Sequence, residues 1–447
     1  MVKIAIVGAG GSVFPIRLVQ DILSFPALQD SDLWLHDVNL EGAERTRAAT
    51  QELTEHHKLP ATAHATIDRR AALDGADFVI CCARVGGLEG YRADIEIPRE
   101  YGIDQIGGDI LAPGGIFLGL RHVPLVQAIA RDMLELCPKA LLIQYSNPMS
   151  ILCWTANLLG IKSVGLCHSI QHTSTMLAEQ LEVPFEEVTF DCAGVNHTAW
   201  FTTFRRGNQD LIPAIYETMI RRHIEQDPPP TQTDGPWEIY IGRNERVRAE
   251  IMRLTGYFHS ESSHHASEYW PWFRKNPEMT RYYMDKRWDY YELYSRDWLA
   301  GLEAVIVEYS KHAGLSPSEE YGSYIIDSIV TGTPRVIYGN VKNDGLITNL
   351  PADACVEVAC LVDQHGVRPV KYGDLPAVCA ALNNVQVNIH RLAVEAALSG
   401  DRRLVYATLA LDPLTGLHCT LPQIREMADR MFDALDPWLP QFQSARR

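Results

Sequence analysis

The sequence predicts an α/β fold, a doubly wound parallel sheet joined to a mixed α+β second half. Three observations predict it. The first ~200 residues alternate short apolar runs with amphipathic helical stretches, the pattern of buried parallel strands covered on both faces. The first run, Val2–Val7, stops at Gly8-Ala9-Gly10-Gly11-Ser12-Val13 and leads into a helical stretch. Beyond Asn196 the alternation ends, and strand pairs, a proline-rich loop and aromatic helical segments take over.

In chain order, Val2–Val7 is a continuous apolar strand and Phe14–Phe25 has helical spacing. Leu33–Asp37 reads as the next strand, followed by a polar-faced helix, Leu40–His57, rich in Glu, Arg and Ala. Asp77–Ala83, Ala140–Gln144 and the short Ser163–Cys167 are further strands, and Thr173–Leu181 is helical. The Cys192 region and Thr198–Phe204 suggest antiparallel strands, with a helix over Ile212–Gln226. Asp227–Gly235 holds consecutive prolines, which fit neither a helix interior nor a central strand, so it is a loop. Tyr282–Ala304 is an aromatic helical segment, Arg335–Asn340 and Val356–Val362 are strands, and Val385–Leu398 is a long helix. This division places a nucleotide-binding domain at 1–195 and a substrate, metal and oligomerisation domain at 196–447.

The 447 residues include 40 Lys+Arg against 56 Asp+Glu, a net charge of −16. That balance argues against nucleic acid and anionic membrane surfaces, which need a basic face. Hydrophobic residues at 46% and charged residues at 21% exclude intrinsic disorder. No run approaches the ~18 apolar residues of a spanning helix, and the apolar start is too short for an export signal. Ten scattered cysteines without a C-x-x-C pair fit reduced thiols and a cytoplasmic location.

The glycine turn is placed as in a Rossmann-type, lactate/malate dehydrogenase-like sheet. Gly8, Gly10, Gly11 and Ser12 would let backbone approach a pyrophosphate at a helix N-terminus. Val13 departs from the third glycine of G-x-G-x-x-G. Asp37, at the end of the second strand, suits the two ribose hydroxyls and repels a 2′-phosphate, so NAD is the expected cofactor. Three further strand ends carry polar residues: Gln144–Met149, Gly165–Ser169 and Gly194–His197. Cys167 and His197 offer one thiolate and one imidazole, a pair suited to a divalent transition metal, although a buried cysteine and a core histidine fit the same spacing. From these residues alone, an NAD-dependent 2-hydroxy-acid dehydrogenase is the competing reading.

Taken together, Gly-Ala-Gly-Gly-Ser, Asn147-Pro148-Met149, Cys167-His168-Ser169 and Gly194-Val195-Asn196-His197 resemble glycoside hydrolase family 4. The likeness extends through Gly107–Ile116, Glu261–His264 and Tyr338–Gly345, and is strongest to the bacterial α-galactosidases of melibiose utilisation. The resemblance implies a redox-assisted glycosidase: NAD oxidises the sugar at C3, a divalent metal such as Mn2+ acidifies C2, the aglycone leaves by elimination, water adds, and the ketone is reduced back. It implies Cys167 and His197 as metal ligands, Asn147 as a substrate contact and His168 as the acid for the leaving group. Tyr269 is the implied base at C2, with Glu261 and His264 as rivals and a packing role as the alternative. Arg84 and Arg92 keep an anionic sugar open, so an α-galacturonide, α-glucuronide or 6-phospho-glycoside stands beside the α-galactoside. Relatives imply a homodimer or homotetramer, with the aromatic set Tyr282–Tyr294 as core or interface. His122 is assigned to the surface of a Leu118–Leu136 helix, and His56-His57 to an exposed helix.

Overall fold

The computed structural model describes residues 1–11, 14–226, 244–284 and 315–443. Ser12 and Val13, the Asp227–Gly235 loop, and Trp288, Tyr290, Tyr291 and Tyr294 lie outside the described residues. Six parallel strands form the first half of the sheet: β1 (Lys3–Val7), β2 (Asp32–His36), β3 (Thr62–Thr66), β4 (Phe78–Cys81), β5 (Leu141–Gln144) and β6 (Ser163–Gly165). Their order is β3-β2-β1-β4-β5-β6, the doubly wound arrangement expected from the glycine turn. The order reverses beside β1, so the carboxyl ends of β1, β4, β5 and β6 open onto one crevice. β3 has no counterpart in the sequence reading. Its Thr-Ala-His-Ala-Thr forms no apolar run, because an edge strand is only half covered.

The antiparallel half contains β7 (Val188–Val195), β8 (Thr198–Arg206), β9 (Gln209–Asp210), β10 (Phe258–His259), β11 (Arg335–Lys342), β12 (Cys355–Asp363) and β13 (Gly366–Pro369). It continues the same sheet, because β6 meets β11 at Gly165 and Asn340, and β12 meets β7 at Gly194 and Glu357. One apolar core accordingly runs under both halves, from Ile6, Ile80 and Ile143 to Val356 and Ile389. β7 and β8 pair up to Val195 and Thr198, leaving Asn196-His197 as a two-residue turn. His197 there adopts a φ of 62°, in the left-handed region.

Several expectations change, among them the long helix placed at Val385–Leu398, which spans Ala377–Ser399. The helix placed at Thr173–Leu181 spans Ser169–Gln180, beginning directly after Cys167-His168. The Ile212–Gln226 helix is α-helical to Ile220 and continues as a wider π turn over Arg221–Glu225. His122 is a correction. The helix covers Ala112–Leu136, and His122 is buried rather than on its surface. Its Nδ1 lies 2.9 Å from the Leu118 carbonyl and its Nε2 accepts the Val85 N–H at 3.2 Å. Beside it Arg121 forms a fully buried two-point pair with Asp94, at 2.8 and 2.7 Å.

Candidate active site

The glycine turn is built by contact as much as by conformation. Gly8 has φ +96° and a Cβ there would lie 2.5 Å from the Ala83 backbone at the end of β4. Its N–H and that of Ala9 both donate to the His36 carbonyl, at 2.9 and 3.0 Å. A Cβ on Gly10 would lie 2.6 Å from the Asp37 carboxyl carbon, so only glycine admits the acid beside the turn. Asp37 Oδ2 accepts the Gly10 N–H at 2.8 Å and Oδ1 accepts the Asn39 N–H at 2.9 Å. The acid therefore stands fixed one residue past β2, the position a ribose-binding carboxylate needs. Gly11 meets only ordinary contacts and faces the cavity described next.

A cavity of about 560 Å³ opens at the sheet's crevice, lined at one end by Gly11 and Cys82 and at the other by Asn147, Cys167, His197 and Glu261. Three elements deliver the inner residues: Cys167 follows β6, His197 occupies the β7–β8 turn, and Glu261 follows β10. One donor atom from each lies within 4.8 Å of the others. His197 Nε2 points at Glu261 Oε2, 3.4 Å away, while its Nδ1 lies 2.8 Å from the Tyr269 hydroxyl. Burial alone would raise the Glu261 carboxyl; the charges of His197 and His265 and the Ser262 N–H reverse it, to about 2. Burial, with the carboxylates of Glu357 and Glu261, pushes the Cys167 thiol up to about 12. Thiol, imidazole and carboxylate suit one divalent transition ion, and a cation is the missing charge that would release the thiol proton.

Around this set stands a second layer of polar groups. Asn147 Nδ2 donates to Asp109 Oδ2 at 2.9 Å. Glu268 accepts the backbone N–H groups of Ile106, Gly107 at 2.8 Å and Gly108 at 3.2 Å, pinning the loop that carries Asp109. His168 is half-buried, with Nδ1 3.2 Å from Glu320 Oε1. Burial would lower its pKa, but the Glu320 carboxylate outweighs burial and raises it to about 9. Tyr269 is buried, and burial together with the carboxylates of Glu261 and Asp109 raises its phenol well above the usual value. It does not line the cavity; its oxygen stands one hydrogen bond behind His197.

The remaining sequence candidates separate. Arg84 reaches the cavity rim, its guanidinium 3.9 Å above the Tyr91 ring. Arg92 lies on the exposed face of the Gly87–Glu100 helix, outside the cavity lining. His265 lines the cavity, and its neighbour His264 does not. Glu320, Glu357, Asp109 and His265 were missed as site residues. For Glu357 a signal existed: a lone acid in the apolar run Cys355–Val362. It is fully buried, takes the Asn340 Nδ2–H at 3.2 Å, and is raised by burial to about 7.

Fold and cavity together define an enzyme class, a dinucleotide-binding sheet whose cofactor turn opens onto a metal-competent polar site. The family 4 glycosyl hydrolase model matches residues 3–183, and the family 4 glycosyl hydrolase C-terminal domain matches residues 192–415. The chain belongs to glycosyl hydrolase family 4. It is 36% identical over 461 residues to an α-galactosidase of Rhizobium meliloti (strain 1021), covering 99% of this chain and 90% of that one. To an α-galactosidase of Bacillus subtilis (strain 168) it is 33% identical over 450 residues, covering 99% and 100%. A 6-phospho-α-glucosidase from gut microorganisms, solved in complex with NAD and Mn2+, shares the fold with a TM-score of 0.77 at 20% identity, covering 97% of this chain and 98% of that one.

Proposed function

We propose that this chain is an α-galactosidase working by redox-assisted elimination. The observation that carries the reading is the single cavity joining the dinucleotide turn to the Cys167–His197–Glu261 set. The two α-galactosidase relatives, each matched over nearly the whole chain, support the sugar class. Gly8, Gly10, Gly11, Ser12 and Asp37 would hold NAD, and Cys167, His197 and Glu261 would hold Mn2+ or another divalent metal. When bound, these supply a hydride acceptor and a Lewis acid for the sugar carbonyl.

The chain's own groups do the rest. Asn147, tethered to Asp109, contacts sugar hydroxyls at the inner end of the cavity. His168 keeps its proton through neutral pH because of Glu320, and delivers it to the departing glycosidic oxygen. Tyr269, the base implied by the resemblance, holds the His197 ring through its hydroxyl; to take the C2 proton itself that hydroxyl must turn into the cavity, which it does not line here. Arg84 contacts substrate at the rim. The ligand set straddles the 195/196 boundary, so residues 1–195 bring the cofactor and Cys167 while 196–447 bring His197, Glu261 and Tyr269. All ten cysteines are free, seven of them buried, which suits a reducing cytoplasm.

The test is hydrolysis of 4-nitrophenyl α-D-galactopyranoside with NAD+, Mn2+ and a thiol reductant, each omitted in turn. Nitrophenol release that collapses on every single omission supports the reading. Silence with all components present moves the substrate to an α-uronide or a 6-phospho-glycoside, for which Arg84 at the rim is the first residue to vary.

A further inference from the structure

The Ala377–Ser399 helix carries two buried amides, Asn383 and Gln386, one turn apart on one face. Both reach Thr198, the residue that follows His197. Asn383 Nδ2 donates to the Thr198 carbonyl at 2.8 Å, and Gln386 Nε2 donates to the Thr198 hydroxyl at 2.9 Å. A Cβ on Gly194 would lie 2.4 Å from the same carbonyl, so only glycine lets β7 pass so close to it. Thr198 is thereby held at backbone and side chain. Its neighbour His197, at φ 62°, occupies a region that residues other than glycine seldom adopt.

Asn383 also reaches toward the segment that bears Glu261. Its Oδ1 accepts the Trp200 Nε1–H at 3.1 Å, and the Trp200 ring meets His259 edge to face, with centroids 5.2 Å apart. His259 Nδ1 in turn accepts the Glu261 N–H at 3.3 Å. Alongside, the Ser260 N–H donates to the Ala199 carbonyl at 2.9 Å and the Ala199 N–H to the Ser260 hydroxyl at 3.1 Å. The turn bearing His197 and the segment bearing Glu261 are therefore joined to each other and to one helix. Neither amide lines the cavity, so neither is placed to contact a sugar. Apolar side chains of equal size would fill the same core volume. Amides also fix direction, because a missed partner leaves a buried polar group unpaired.

We propose that Asn383 and Gln386 are positioning residues for the metal-ligand set: through Thr198 and Trp200 they hold His197 and Glu261 within reach of Cys167. This goes beyond the α-galactosidase reading and rests only on its ligand set. His197 is then fixed twice, its ring by the Tyr269 hydroxyl and its backbone by the two amides acting on Thr198. Such outer partners govern metal affinity, because a ligand left free to swing must be ordered again on each binding.

The experiment measures Mn2+ affinity of the full chain with NAD+ and no substrate, from the EPR signal of free Mn2+, with NAD+ affinity and thermal melts as controls. Asn383→Leu and Gln386→Met keep the volume but not the hydrogen bonds. Both are expected to weaken Mn2+ binding about tenfold or more and to leave NAD+ affinity unchanged. Thr198→Val is expected to match Gln386→Met, and combining the two to cost nothing further, since they remove the two ends of one bond. Thr198→Ser keeps the hydroxyl and is expected to bind Mn2+ as wild type does. Mn2+ affinities within about threefold of wild type for both amide variants, or a parallel fall in NAD+ affinity, overturn the proposal. Thr198→Ser binding as weakly as Thr198→Val overturns it too. If Asn383→Leu does not melt cooperatively, Gln386→Met, which leaves both Asn383 bonds in place, carries the comparison. Wild type that binds no Mn2+ fails the ligand set before any variant is made, and this proposal falls with it. Mn2+ binding without galactoside cleavage fails the sugar reading alone.

Discussion

Cys167 and His197 are brought together by a β6 end and a two-residue turn, and a single atom decides what they can hold. Cys167→Ser replaces the soft donor with a weakly binding hydroxyl of nearly equal size, so the fold stays intact. The expected result is a loss of metal-dependent turnover of at least about 100-fold with NAD+ affinity unchanged, read by assay and by fluorescence titration. An undiminished rate removes the metal from the site. At the other end, Asp37→Arg should weaken NAD+ binding without unfolding the chain, since the acid stands past the strand end; equal affinity would place the nucleotide elsewhere. These residues were legible because each lies in a local motif. Glu261 and Asp109 were not legible as partners of that set, because their position depends on strand pairing and loop packing between distant segments.

At the scale of elements, apolar runs disclosed β1, β4 and β5, and glycine spacing placed the cofactor turn. The joining of β6 to β11 and β12 to β7 was beyond local pattern, since each contact rests on one residue pair. That join is what lets one cavity draw its lining from both halves. The 106–108 loop depends on Glu268 in the same way. Glu268→Gln keeps the shape but removes the charge that accepts three N–H groups. It should cost about 1–3 kcal/mol in stability and lower kcat/KM about tenfold or more, through displacement of Asp109 and Asn147. A melt and rate equal to wild type would show that the loop holds itself.

Over the whole molecule, burial keeps some histidines neutral, and this sets how stability responds to acid. Burial lowers His122 to about 3 and His390 to about 4. With folded values below the unfolded ~6.5, the unfolded chain binds more protons as pH falls, so stability is full above pH ~6.5 and is lost toward each folded value. His390, in the Ala377–Ser399 helix, has neither ring nitrogen hydrogen-bonded among the described residues, so His390→Leu removes the titration without stranding a partner. Between pH ~7 and ~5 the variant should lose about 2 kcal/mol less than wild type, measured by denaturant unfolding at both values. Equal losses would mean that His390 takes up its proton in the folded state. None of this arises from motifs; it follows from where the shared core closes.

The central claim is that the glycosidic bond is cleaved through loss and return of the sugar's C2 proton. Hydrolysis of an α-galactoside in D2O, with the galactose product read by NMR, tests it directly. The account predicts deuterium at C2 of the product, and a slower rate for substrate already deuterated there if that proton transfer limits turnover. Galactose released with its original C2 hydrogen would contradict the account and return the chemistry to direct displacement at C1.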